Sequence, residues 1–122
     1  MSALIRRVGH VLLSVMFIKG GSDAFRQPGG RVDAVARAGL PQPEFAVRAN
    51  GGAMALAGAM LALDVAPRLA ATILTACIVP TTVVGHAFWR AEGATRQSQE
   101  IQFAKNLGLL GGLLLVLAEP KA

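Results

Sequence analysis

The sequence predicts an all-α protein: a polytopic membrane four-helix bundle with a short interfacial helix in the first long loop. Three observations lead there. Of the 122 residues, 53% are hydrophobic and only 16% charged, with a positive mean hydropathy, well away from the balance of soluble domains. From Leu69 to Phe88, 20 consecutive residues carry no formal charge. At about 1.5 Å rise per residue such a stretch covers about 30 Å, the thickness of a bilayer's hydrocarbon core. Polar side chains collect where the apolar stretches end: His86 and Trp89 close one, and Gln102, Lys105 and Asn106 open the next.

The first helix spans about Leu4–Asp23. Its centre, Val8 to Ile18, is apolar apart from His10 and Ser14, and Arg6, Arg7 and Lys19 are able to snorkel from its ends. A basic start followed by an apolar run also fits a signal peptide, but no small-x-small cleavage site follows Ile18. The segment is therefore read as a helix of the mature protein.

The one long connection follows, with Pro28-Gly29-Gly30, then Arg31 to Leu40, then Pro41-Gln42-Pro43. Its middle piece sets Val32, Val35, Ala36 and Leu40 on one side and Arg31, Asp33 and Arg37 elsewhere, which predicts a short interfacial helix stopping at Gly39. A plain surface loop is the simpler alternative. The second helix spans about Phe45–Leu63 and is uncharged from Ala49 onward. A tight Asp64-Val65-Ala66 turn sets Pro67 at the first position of the third helix, about Pro67–Trp89, where its missing N–H costs nothing. After a short charged loop the fourth helix covers about Gln102–Ala118, uncharged from Asn106 onward. The shorter uncharged runs also suit buried helices of a soluble protein, but few polar residues remain to coat four helices in water. Residues 1–122 read as a single membrane domain.

Close helix packing in lipid relies on small residues, because lipid offers no hydrophobic drive for association. Gly51, Ala55 and Ala59 form one such column in the second helix, and Gly108 and Gly112 form a GxxxG in the fourth. The internal bundle already needs them, although a homo-oligomer would use the same columns. The formal charge of +5 comes from nine Arg and three Lys scattered over termini and loops, with no basic run and no aromatic interleaving. That pattern argues against nucleic acid and for a lipid bilayer with anionic headgroups. The lone Cys77 has no CxxC partner and no internal disulfide partner, so it reads as a small packing residue.

With alternating helix directions, one membrane face collects Lys19, Asp23, Arg26, Arg48, Asn50, His86, Trp89, Arg90, Gln99, Gln102, Lys105 and Asn106. The other face holds Arg6, Arg7, Asp64, Arg68, Glu119 and Lys121. A site is expected on the first, richer face. There Thr82, His86 and Arg90 recur every four residues, and Gln99, Gln102 and Asn106 follow an i, i+3, i+7 pattern. Two polar stripes at one depth are expected to bond each other, since lipid leaves them no other partner. Trp89 also suits the aromatic belt, which needs no function. The side with both long loops carries eight Lys and Arg against four on the side with the termini. The positive-inside rule then puts the long loops in the cytoplasm.

The chain resembles the DoxX family of small four-helix bacterial membrane proteins. The resemblance rests on Arg7 through Gly21 with Asp23-Ala24-Phe25, on Asn50-Gly51, and on Pro67-Arg68-Leu69-Ala70. Its most specific pieces are Pro80-Thr81-Thr82 with Gly85-His86-Ala87-Phe88-Trp89, and Gln102 through Leu107 with Gly111-Gly112-Leu113-Leu114. It covers nearly the whole chain and implies a multi-pass protein of the bacterial cytoplasmic membrane. The family takes its name from a small membrane subunit of a thiosulfate:quinone oxidoreductase, and other members are linked to thiol and oxidative-stress systems. The sequence itself carries no flavin, dinucleotide or phosphate-loop fingerprint, and His10 and His86 lie toward opposite faces, where they cannot share a metal.

Two functions are therefore weighed. In the first the chain is a small subunit of a quinone-linked redox complex whose other subunits bring the electrons. His86 is then the candidate proton relay, being the side chain that titrates near neutrality. Thr82, Gln102, Asn106 and Asn50 would hold the quinone ring, Arg90 or Lys105 would stabilise its reduced anion, and Trp89 would stack. In the second the chain is a non-catalytic anchor or scaffold whose polar face ties helices together or docks a partner. A transporter is weaker, because no broken mid-membrane helix or buried acid is evident.

Overall fold

The computed structural model describes residues 2–120; Lys121, counted above, lies outside them. The described residues contain four long helices and one short one: α1 (Ala3–Arg26), α2 (Gly30–Arg37), α3 (Pro43–Ala62), α4 (Pro67–Gly85) and α5 (Gly93–Ala118). A single 3₁₀ turn, Phe88–Arg90, joins the last two. Ser2 starts α1, its Oγ accepting the Leu4 N–H at 3.2 Å. Pro43 and Pro67 open α3 and α4 at positions where a missing N–H leaves nothing unpaired.

α1 packs chiefly on α3, α3 on α4, and α4 on α5, while α1 meets α5 only sparsely. The α1–α3 contact brings backbones together. A Cβ at Gly21 would sit 2.6 Å from Gly51 O and from Ala55 N, and one at Gly51 would sit 2.7 Å from Gly21 O. The expected column of Gly51 and Ala55 is thus in use, and Gly58 continues the close contact against Phe17 and Ile18. In α5, Gly112 receives the Leu13 side chain, but Gly108 faces open space. Phe17, Leu61, Leu74 and Leu113 fill the centre between the helices.

Outward faces are apolar too. Leu56, Leu69, Val83, Leu107 and Leu115 are all exposed; in water such a coat is unfavourable by about 25 cal/mol per Å², and in lipid that penalty vanishes. Three stretches are long and apolar enough to cross a bilayer: Pro43–Ala62, Pro67–Arg90 and Gly93–Ala118. This is a membrane protein. α1 falls short of that mark because its 24 residues include Arg6, Arg7, Lys19, Asp23 and Arg26.

Two helix ends differ from the sequence expectation by four residues or more. The third long helix stops at Gly85, four residues before Trp89, and the chain then turns through the 3₁₀ segment. Arg90 therefore leaves the stripe it was expected to share with Thr82 and His86. The fourth begins at Gly93, nine residues before Gln102, so the "loop" is helical. Apolarity marks only what lies in lipid; the polar residues Thr95 to Glu100 are adequate helix formers, and Arg96 pairs with Glu100 one turn on at 3.1 Å. The short helix between α1 and α3 lies at Gly30–Arg37, packed on α3 and α4.

Candidate functional site

Pro80 sits inside α4 and has no N–H to give the carbonyl one turn back. The hydroxyls of the two residues after it turn back onto carbonyls of their own helix. Thr81 Oγ1 donates to Cys77 O at 2.8 Å and Thr82 Oγ1 to Ile78 O at 2.7 Å. A hydroxyl has one proton but two lone pairs, so each threonine oxygen can still accept. Asn50 of α3 donates to Thr81 at 2.9 Å, and Asn106 of α5 donates to Thr82 at 3.0 Å. Two amides from flanking helices thus grip neighbouring residues of α4.

One turn further on, α4 ends and His86 caps it, its backbone N–H reaching Thr82 O. The His86 ring meets α5: Nδ1 lies 2.8 Å from Gln99 Oε1. An amide oxygen only accepts, so Nδ1 carries the proton and Nε2 is left as the ring's available polar atom. Gln99 in turn donates to Gly85 O at 3.3 Å. Lys105 donates to Gln102 Oε1 at 2.7 Å.

These groups border a cavity of about 800 Å³. Its apolar lining includes Phe17, Val47, Met54, Ile78 and Leu109, and its polar lining includes Lys19, Asp23, His86, Gln99, Gln102 and Lys105. α2 contributes Arg31, Ala34, Val35 and Arg37. Among the residues expected from sequence, Asn50, His86, Gln102, Lys105 and Asn106 line this space together, whereas Thr82, Trp89 and Arg90 do not. Thr82 is buried behind Asn106. Trp89 packs edge-on to Phe88 at 5.3 Å and Phe103 at 6.0 Å, and is 46% exposed. Phe88 also stacks under the Arg96 guanidinium at 5.6 Å. The aromatics thus pin the 3₁₀ turn to α5.

A family model described as DoxX matches residues 4–87, well over half of the chain. The chain belongs to the DoxX family. The matched stretch of this DoxX protein runs from α1 to the residue after His86, so Asn50, Thr82 and His86 lie inside it. Gln99, Gln102, Lys105 and Asn106 lie beyond it, as does the Gln102-to-Leu114 block that contributed to the resemblance. No curated protein and no solved structure matches the chain.

The opposite end of the helices in this DoxX protein holds a second cluster, one that the polar stripes of the sequence do not mark. His10 is only 2% exposed. Its Nδ1 lies 3.2 Å from Asp64 Oδ1, and its Nε2 lies 2.9 Å from Glu119 Oε1. Arg6, one turn earlier in α1, reaches Asp64 at 3.3 Å and Glu119 at 3.8 Å. Burial alone would raise the Asp64 carboxyl; the charge of Arg6 and hydrogen bonds from His10 and Arg6 outweigh it and hold the group below its usual range. The carboxylates approach opposite edges of the ring and do not converge on one ion, and the described residues include no metal-binding group of three. The Arg6-to-His10 spacing of four was the legible signal, since it stacks both on one side of α1.

Proposed function

We propose that this DoxX protein is a multi-pass subunit of a quinone-linked redox complex in the bacterial cytoplasmic membrane. In this reading residues 1–122 form one domain, α1 is a fourth span completing the bundle, and α2 rides at the interface. The carrying observation is the cavity of about 800 Å³, lined both by apolar side chains and by polar ones that include His86, Gln102 and Lys105. A quinone needs that combination: a slot for ring and tail, and hydrogen-bonding groups for its carbonyls at one end. His86 relays protons, Gln102 and Asn50 orient the ring, and Lys105 with Arg31 and Arg37 of α2 stabilises negative charge on the reduced oxygen. The two electrons come from a cofactor on a partner subunit, and the two protons reach the quinone oxygens through the His86 end.

The test is gentle purification of the tagged protein from its native membranes, with mass spectrometry of proteins and lipids. Co-purified quinone, with a redox partner in fixed ratio and both quinone retention and turnover lost in His86→Ala, supports the reading. Phospholipid alone, or full quinone-dependent activity in His86→Ala, overturns it.

A second reading has an observation of its own. Asn50, Gln99, Gln102 and Asn106 each already hold a side-chain partner. A scaffold subunit needs only that network. Substitutions there would then change stability and partner retention together, with no separable loss of turnover.

A further inference from the structure

We infer that His10, Asp64 and Glu119 form a proton-binding site in which His10 is held as the imidazolium, clasping the end of α5 to α1 and to the α3–α4 turn. Both ring nitrogens lie within hydrogen-bond distance of a carboxylate, at 3.2 Å for Nδ1 and at 2.9 and 3.1 Å for Nε2. Carboxylates only accept, and a neutral imidazole has one N–H and one lone pair. A neutral ring would aim that lone pair at a carboxylate oxygen inside a site where His10 is 2% exposed. One added proton turns the repulsive contact into a charge-assisted bond.

Charge counting agrees. Asp64 and Glu119 are carboxylates with side chains 17% exposed, and among the described residues Arg6 is the well-sheltered cation facing both. Arg7 reaches Asp64 at 3.6 Å from a side chain that is 66% exposed, so water screens it. Arg68, the basic residue of α4 at this end, is engaged with Leu117 O at 2.9 Å. With an imidazolium the sheltered group has two positive and two negative charges; with a neutral ring it has an excess anion.

The consequence is a clasp that holds or releases with pH. Its three parts come from residues 10, 64 and 119, and α1 and α5 touch little elsewhere. Raising the pH removes the proton, and one of the two ring bonds goes with it. The end of α5 then loosens from α1 on the face opposite the cavity.

The experiment uses the full chain, without an oligohistidine tag, in lipid nanodiscs with ring-¹⁵N-labelled histidine. The chain has only two histidines, so His86→Gln assigns the signals. At neutral pH both His10 nitrogens should carry a proton and resonate close together. Glu119→Gln should return the ring to a neutral form, because the new amide can donate to a bare nitrogen; Asp64→Asn provides the same test if Glu119→Gln does not fold. A bare nitrogen on His10 in the parent protein overturns the inference, including the case where the extra proton sits on Glu119. So does an imidazolium signal that persists unchanged in both variants. Thermal stability followed from about pH 6 to about pH 9, across the range where histidines release protons, should fall in the parent and stay flat in His10→Gln. An equal fall in that variant also overturns it.

Discussion

Asn106 donates its side-chain amide to Thr82 Oγ1 over 3.0 Å, while Thr82 passes its own proton back to Ile78 O. The pair closes a relay from α5 into the backbone of α4. Both residues are buried, so neither finds water when the other is removed. Asn106→Leu and Thr82→Val should each lower stability by about 1 kcal/mol. In a double-mutant cycle of unfolding in mixed detergent, the double variant should lose clearly less than the two single losses added together; strict additivity would show that the bond carries no stability.

Gly51 and Gly21 set the spacing of α1 against α3, with a virtual Cβ meeting backbone atoms at 2.6–2.7 Å. Backbone cannot move aside as a side-chain tip can. Gly51→Ala should therefore destabilise by about 1–3 kcal/mol. Gly108→Ala, which faces open space, should change stability by less than about 0.5 kcal/mol in the same assay. Equal effects at the two glycines would contradict the close approach.

If the cavity serves a quinone, His86 and Gln99 should be separable in kinetics. His86→Ala removes the proton relay and should lower turnover by about 10²-fold or more. Gln99→Leu removes only the group that holds Nδ1–H, so turnover should fall less and the pH profile should move. An unshifted profile would mean that Gln99 does not position the ring.

Asp64 gives the acid side of the stability curve. Its carboxyl is held below 3.8, so it binds its proton less readily folded than unfolded. Its contribution is present above 3.8 and lost as pH falls through the lower folded value. Melting curves taken downward through this range should show a loss of stability that shrinks in Arg6→Gln, which lacks the main stabilising charge. An unchanged acid limb would exclude Arg6 as its source.

Trp89 is the only tryptophan and lies at the end of a candidate span. Its fluorescence should be quenched more by lipids labelled near the headgroup than by lipids labelled at mid-chain. The reverse order would move the Phe88–Arg90 turn into the bilayer interior and contradict the assignment of span ends.

Much of the candidate site was legible because the bilayer confines polar groups to a few levels. Asn50, His86, Gln102, Lys105 and Asn106 were expected together and do line one cavity. Trp89 and Arg90 were placed with them by extending α4 too far. Gly85 and the 3₁₀ turn carry them out of register, and a helical spacing rule says nothing beyond the residue where the helix stops. Thr82 was correctly put at the level of Asn106, but which of the two faces the cavity depends on how α5 rotates against α4.

The sequence by itself determined the helical, membrane-bound character of this protein and the family to which it belongs. Those follow from local physics: 20 uncharged residues in a row admit few structures in lipid other than a helix, and small residues mark where helices approach. Only the tertiary structure decided that His10, Asp64 and Glu119 meet. They are 54 and 109 positions apart along the chain, and three separate segments have to arrive at one point. No periodicity records such a meeting, because it depends on how whole helices pack and not on the spacing within any one of them.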